Sequence, residues 1–163
     1  MRAIIAATAL LLLAADPPAS RADEPPLPPN SVTAQHESIM QGLARLAAQD
    51  APTASAARAV LDVMTPHLQK EQEFVLPLLA ILPEAAENRV TPEMAWAVPV
   101  ADRLAAERSA LFDEHGRIME AVGMLIATGE KANDPPLVDL GERIAMHAMS
   151  EIEVVEPSAQ LVG

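Results

Sequence analysis

Apolar residues recur every three or four positions over most of the chain, and this spacing predicts amphipathic helices. The first predicted helix is capped by Asn30 or Ser31 and extends to about Ala48. The second begins near Thr53 and continues beyond Pro66, where a kink is expected because proline lacks a backbone donor. Each of these helices presents one apolar stripe, so each is expected to bury one face.

The second half of the chain repeats this arrangement. A short helical turn around Trp96 is predicted to end near Pro99, and a third helix is predicted over about residues 100–127. A turn follows, and the last helix is predicted over about residues 136–156. Four helices joined by short links favour an all-α, up-down-up-down four-helix bundle.

Composition narrows the class of protein further. The chain has 163 residues, about one domain, and only 2% of them are aromatic. The absence of cysteine excludes disulfides, thiolate metal sites and cysteine nucleophiles. A formal net charge of −12 argues against nucleic acid or anionic lipid as a partner.

The first residues are typical of an export signal. Met1 and Arg2 precede an apolar run from Ala3 to Ala15, which is too short for stable membrane insertion. Cleavage is expected after Ala22, with Ala15 as an alternative. The predicted organisation is a signal peptide over residues 1–22, a proline-rich linker over 23–30, a bundle over 31–158 and a tail over 159–163. We therefore expect a secreted protein, periplasmic if the host is a Gram-negative bacterium.

Two segments of the chain, beginning at His67 and His147, follow one pattern. In both, glutamate stands four and six positions after histidine, valine eight positions after it and proline ten. The preceding helices share a second pattern, in which His36 and His115 are each followed by isoleucine and methionine at the third and fourth positions. The chain therefore contains two copies of one helical hairpin.

This repeat predicts a metal site in the bundle core. Residues four apart lie on one face of a helix, so each His-x-x-x-Glu pair points in one direction. Burying four imidazoles and two carboxylates is unfavourable without a cationic partner. The predicted ligands are His36, His67, Glu71, His115, His147 and Glu151. Two cations bridged by the carboxylates would fit this set; imidazole suits iron, zinc and copper, and carboxylate suits iron and manganese. Glu73 and Glu153 are expected to face solvent.

From about Ser31 to Pro157, the order His, His-x-x-x-Glu, His, His-x-x-x-Glu resembles the hemerythrin-like family, also called HHE cation-binding domains. The resemblance implies a four-helix bundle around a non-haem di-iron centre that binds O2, senses oxygen, iron or NO, or stores metal. It implies that the four histidines are ligands and that Glu71 is a bridge. Met119 stands where the oxygen carriers have a fifth histidine, and Ile152 stands where they have an aspartate, one residue after Glu151. One ion is therefore expected to have an open position.

Three hypotheses follow. The first is an exported di-iron protein that binds or senses O2, NO or peroxide; no general acid or substrate pocket is identified, so enzymatic activity is left undecided. The second is a store, buffer or chaperone for zinc or copper without O2 chemistry, for which Met40 and Met119 could supply thioethers. The third is an interaction bundle whose histidines are structural.

Overall fold

The computed structural model describes Leu27 and residues 29–162, and all regular structure in this part of the chain is helical. The helices are α1 (Asn30–Ala47), α2 (Ala54–Lys70), α3 (Leu76–Ala86), α4 (Ala97–Ala132), α5 (Pro135–Ser150) and α6 (Glu156–Ala159). A π-helical segment joins α2 to α3 (Glu71–Val75) and another joins α5 to α6 (Glu151–Val155). A 3₁₀ turn at Pro92–Trp96 follows α3, and another at Gln160–Val162 follows α6. The all-α prediction is confirmed, whereas the predicted signal peptide and most of the linker lie outside the described residues.

Several helix ends differ from the predicted ones. The turn around Trp96 does not end at Pro99 but runs directly into α4, because proline in a first turn removes a donor that has no helical acceptor. Helix α1 begins at Asn30, and within the described residues no side chain caps it. Asp134 does cap α5, since its carboxylate accepts a hydrogen bond of 3.3 Å from the backbone nitrogen of Leu137.

The apolar core has two parts. The first apolar cluster is built from α1, α2, α4 and α5, and its members include Leu43, Val60, Met64, Leu68, Ile118, Leu125, Leu140 and Ile144. The second apolar cluster draws on α3 and the first half of α4, and its members include Phe74, Leu78, Ile81, Leu104, Leu111 and Ala159. The sequence pattern places Ala159 in the tail, whereas in the structure it is fully buried. The packed part of the chain therefore extends beyond residue 158.

The helices meet the two clusters in alternating order. Along α2 and α3 the first cluster comes before the second, as it does along α5 and α6. Along α4 the order is reversed, because Leu111 of the second cluster precedes Ile118 of the first. Helix α1 packs on α2 and α5, and α4 packs on the same two helices. The chain thus has four long helical runs: α1, α2 with α3, α4, and α5 with α6. All four contribute to a layer that lies between the two clusters.

Helices α4 and α5 approach each other closely at a glycine. A Cβ atom added to Gly141 would lie 2.5 Å from Cγ1 of Ile126, so the contact requires the missing side chain. Among the described residues, none of the helices combines the length and the apolar content that crossing a bilayer requires.

Candidate metal centre

The structure brings all six predicted ligand residues into the layer between the two apolar clusters. His36 comes from α1, His67 from α2, His115 from α4 and His147 from α5, while Glu71 and Glu151 begin the two π-helical segments. Each of the six is at most 3% exposed. Burial of this kind removes the water that would otherwise solvate charged carboxylates and imidazoles, so the layer needs internal partners.

Glu151 contacts all four histidines. Its Oε1 atom lies 2.7 Å from Nε2 of His147 and 2.9 Å from Nε2 of His36. Its Oε2 atom lies 3.3 Å from Nε2 of His115 and 4.0 Å from Nε2 of His67. The two oxygens of one carboxylate thus face two different pairs of imidazoles.

Glu71 links the same two pairs from the other side. Its Oε2 atom lies 3.5 Å from Nε2 of His36, and its Oε1 atom lies 3.6 Å from Nε2 of His67. The ring centroids of each histidine pair are close, at 4.8 Å for His36 and His147 and 4.4 Å for His67 and His115. We call the first pair the α1/α5 half and the second pair the α2/α4 half. Each half has two imidazoles and faces one oxygen from each carboxylate.

Several of these atoms lack hydrogen-bond partners within the described chain. Both carboxylate oxygens of Glu71 are buried without a donor at hydrogen-bond geometry, as are the Nε2 atoms of His67 and His147. Buried polar atoms are nearly always paired, so such a concentration of unpaired atoms indicates a missing partner. Ligand atoms of His67, Glu71, His115 and Glu151 lie within 4.8 Å of one another, as do those of His36, His147 and Glu151. These buried clusters could hold a metal ion.

In this layer, protons and cations would compete for the same imidazole and carboxylate atoms. Burial alone would lower the pKa of His67, but the nearby carboxylates of Glu71, Glu114 and Glu151 together outweigh it and raise the pKa to about 9. Burial raises the pKa of Glu71, and the neighbouring charge of Glu151 adds to this. Burial also opposes ionisation of Glu151, yet the close imidazoles of His115, His147 and His36 lower its pKa well below its ordinary value.

A π-helical segment begins at each of the two carboxylates. The backbone nitrogen of Leu76 donates to the carbonyl of Glu71, and that of Glu156 donates to the carbonyl of Glu151, so each bond spans five residues instead of four. Proline follows at Pro77 and Pro157, each lacking the donor that a regular α-helical turn would need. In both copies of the repeat, the valine ends the π-helical segment and the proline follows two residues later. Both residues therefore mark a local widening of the helix beside the site.

Two outer carboxylates also contact the imidazoles. Nδ1 of His67 donates to Oε2 of Glu114 across 3.1 Å, and Nζ of Lys70 donates to Oε1 of the same carboxylate across 2.6 Å. Nδ1 of His115 donates to the carbonyl oxygen of Leu111 across 3.1 Å and lies 3.5 Å from Oε1 of Glu156. Donation from Nδ1 leaves the Nε2 lone pair of each neutral ring directed toward the centre.

The sequence pattern does not single out Glu114 or Glu156. Glu156 is only 6% exposed, and burial raises its pKa. Glu73 and Glu153 are exposed, as expected. The half-buried Met40 and Met119 pack against the first apolar cluster, which is a gap-filling role for methionine.

Comparison of the chain with protein-family models, with curated proteins and with solved structures gave no match. The class of protein is defined by the fold and the buried histidine–glutamate layer alone: it is an all-α protein of four long helical runs with a candidate metal centre.

Proposed function

We propose that this chain is an exported, hemerythrin-like protein whose up-down-up-down bundle holds a pair of non-haem iron ions. The observation that carries the proposal is that the six buried donor residues form two halves, each with the same set of ligand atoms. Each half offers two imidazole Nε2 atoms, one oxygen of Glu71 and one oxygen of Glu151. Carboxylates placed in this way bridge two cations, and a mixed nitrogen and oxygen donor set suits iron. The alternating order of the apolar clusters along the helices supports the up-down-up-down connection.

The residues themselves perform three tasks in this proposal. The two carboxylates balance the charge of the cations inside a layer that excludes water. Glu114 and the Leu111 carbonyl hold the rings of His67 and His115 so that their Nε2 atoms face inward. Bound iron would supply a redox-active ion with a free coordination position for O2, NO or peroxide. A binding or sensing role follows, and enzymatic activity is left undecided.

Metal handling is the second candidate function. Four of the six donors are imidazoles, which also suit zinc and copper. A store, buffer or chaperone would use the same residues without O2 chemistry. The third hypothesis, an interaction bundle with structural histidines, is less well supported, because both buried oxygens of Glu71 would then lack a hydrogen-bond donor among the described residues.

Metal analysis of the protein exported in its own host, purified without chelator, tests the proposal. We expect about two irons per chain and the near-ultraviolet and visible absorption of a bridged ferric pair. Zinc or copper in the same amount would instead support metal handling. Absence of metal, together with failure to take up Fe(II) under anaerobic conditions, would contradict both functions and favour the interaction bundle.

A further inference from the structure

The two halves of the candidate centre differ in what lies behind their imidazoles. We propose that they bind cations with unequal affinity: the α2/α4 half fills first and retains its ion, and the α1/α5 half exchanges its ion. This inference rests on the proposed function, since it requires that the centre take two cations. It adds an order of loading and a division between a resident and an exchangeable ion.

The first difference is the outer partner of His67. Its Nδ1 atom donates to Glu114, whose other oxygen accepts from Lys70, and Lys70 in turn lies 3.6 Å from Glu107. The ammonium group fixes the orientation of the carboxylate, so that Oε2 stays directed at the imidazole. A carboxylate behind a ligating histidine orients the ring and makes its inner nitrogen a stronger donor.

The second difference is Glu156. Its carboxyl group lies 3.5 Å from Nδ1 of His115, so this ring has a buried carboxyl behind it in addition to the hydrogen bond to Leu111. Oε1 of Glu156 is buried and lacks a hydrogen-bond partner in the part of the chain that the structure describes. Both imidazoles of the α2/α4 half therefore have a carboxylate on the side away from the centre.

The repeat shows what the α1/α5 half has in the corresponding places. Aligning His36 with His115 and His147 with His67 places Gln35 where the other copy has Glu114, and Ser150 where it has Lys70. The counterpart of Glu156 is Leu76, a buried apolar residue. Nδ1 of His36 is buried and has no hydrogen-bond partner among the described residues. None of the three counterparts carries a charge.

The α1/α5 half also lies beside the larger surface groove. A groove of about 1010 Å³ runs between α1 and α5, and its lining includes Gln35 and Met146, the residues that immediately precede His36 and His147. The surface pocket lined by Glu156 is smaller, at about 380 Å³. The half with weaker outer support is therefore the one next to the larger groove, although the groove itself is lined by none of the six ligand residues.

Stepwise loading with Co²⁺ tests the inference. The metal-free full chain is titrated in competition with a chelator of known affinity, and the visible absorption of bound Co²⁺ reports each step. We expect the first ion to bind at least about tenfold more tightly than the second, because loss of outer partners changes metal affinity by about 10- to 100-fold. His36→Ala should retain the tight step, and His67→Ala should retain only the weak one.

Two further variants identify the cause of the difference. Glu114→Gln combined with Glu156→Gln should weaken the tight step by about 10- to 100-fold and bring the two steps together. The matched control is Glu120→Gln combined with Glu153→Gln, which removes the same charge from two exposed positions and should leave both steps unchanged. Circular dichroism of each variant checks that its helices form. The comparison of His36→Ala with His67→Ala leaves both outer carboxylates in place, so it tests the order of loading separately from its cause.

The outcomes separate the two proposals. Two steps of equal affinity, or a tight step that survives His67→Ala and is lost in His36→Ala, would overturn the unequal halves and leave the dinuclear centre in place. A chain that takes up no Co²⁺ or Fe(II) at all would contradict the proposed function itself.

Discussion

Glu71 and Glu151 stand at equivalent points of two helices: each is the first residue of a π-helical segment, and each lies six residues before a proline. The proline ring would collide with the carbonyl four residues earlier in a regular α-helix, and no donor is available there. Widening the helix by one residue relieves the collision. Each carboxylate keeps regular α-helical bonding to the histidine four residues before it, so the widening alters how α3 and α6 continue beyond the site.

Replacing both prolines should therefore weaken metal binding while the chain stays helical. In Pro77→Ala combined with Pro157→Ala, the restored backbone donors allow regular α-helical hydrogen bonds, which would rotate α3 and α6 and move Glu156 away from His115. We expect metal affinity to fall at least about tenfold, measured by chelator competition.

Pro83→Ala is the matched control for these prolines. Pro83 lies inside α3 and is exposed, away from both π-helical segments. This substitution should leave metal affinity unchanged. Equal affinities for the wild type and the double variant would show that the π-helical segments do not contribute to metal binding.

The two bridging carboxylates should differ in importance. Glu151 contacts all four histidines, whereas Glu71 contacts only His36 and His67. We expect Glu151→Gln to lose most of both bound ions and Glu71→Gln to retain at least one, as measured by metal content after desalting. Glu73→Gln and Glu153→Gln, two residues further on and exposed, should retain both. Equal losses in the two bridging variants would contradict the central place of Glu151.

Raising the pH should destabilise the metal-free protein. The pKa of His67 is raised from 6.5 to about 9 on folding, so its protonation stabilises the native state fully below pH 6.5, and this contribution is lost as the pH rises through about 9. We expect the melting temperature of the metal-free chain to fall over this interval. His67→Gln should flatten the dependence.

Metal binding should show the opposite trend with pH. A cation must displace the proton of His67, so affinity should increase between pH 6.5 and about 9 and protons should be released on binding. Calorimetry in buffers of different ionisation enthalpy measures this release. Binding without proton release would mean that His67 is already neutral in the metal-free protein.

Removing metal should lower the melting temperature. A cation at a free concentration 100-fold above its dissociation constant stabilises the native state by about 2.7 kcal/mol. For a chain of this length, that corresponds to roughly 5–10 °C. Scanning calorimetry before and after chelation measures the change. His36→Ala combined with His67→Ala should show no response to either metal or chelator, and a response in that variant would place the stabilising ion elsewhere.

The contact between α4 and α5 offers a test of packing independent of metal. Gly141→Ala brings a Cβ to within 2.5 Å of Ile126, and such overpacking should reduce the free energy of unfolding by about 1–3 kcal/mol. Gly123 has no neighbour within 4 Å, so Gly123→Ala should raise it by about 0.5–1 kcal/mol. Urea denaturation of the metal-free variants measures both, and a stabilised Gly141→Ala would show that Ile126 moves aside freely.

Much of the fold could be predicted from the spacing of apolar residues, and the repeat identified the six residues that the structure brings together. Four-residue spacing is a property of the α-helix itself, so His67 with Glu71 and His147 with Glu151 required no knowledge of the tertiary structure. The helix ends were less predictable. Pro99 reads as a helix end, but it is tolerated in the first turn of α4, and only the fold shows that it lies there.

The outer carboxylates could not be found in this way. In a regular helix, Glu156 would lie about 140° around from Glu151, away from the site. The π-helical bond between these two residues returns positions five apart to one face. Comparing the copies gives no help, because the counterpart of Glu156 is Leu76. The position of Glu156 next to Pro157 indicates a residue beside the site only when the π-helical geometry is also known.

Each histidine pair takes one member from each copy of the repeat. His36 of the first hairpin is paired with His147 of the second, and His67 of the first with His115 of the second. Neither hairpin alone holds a complete half of the centre, although each carries the full local motif. The two copies are therefore related as the subunits of a two-fold symmetric dimer would be, with the carboxylates close to the axis. A separate hairpin could form such a site only by pairing with another, and the fused chain makes that association independent of concentration.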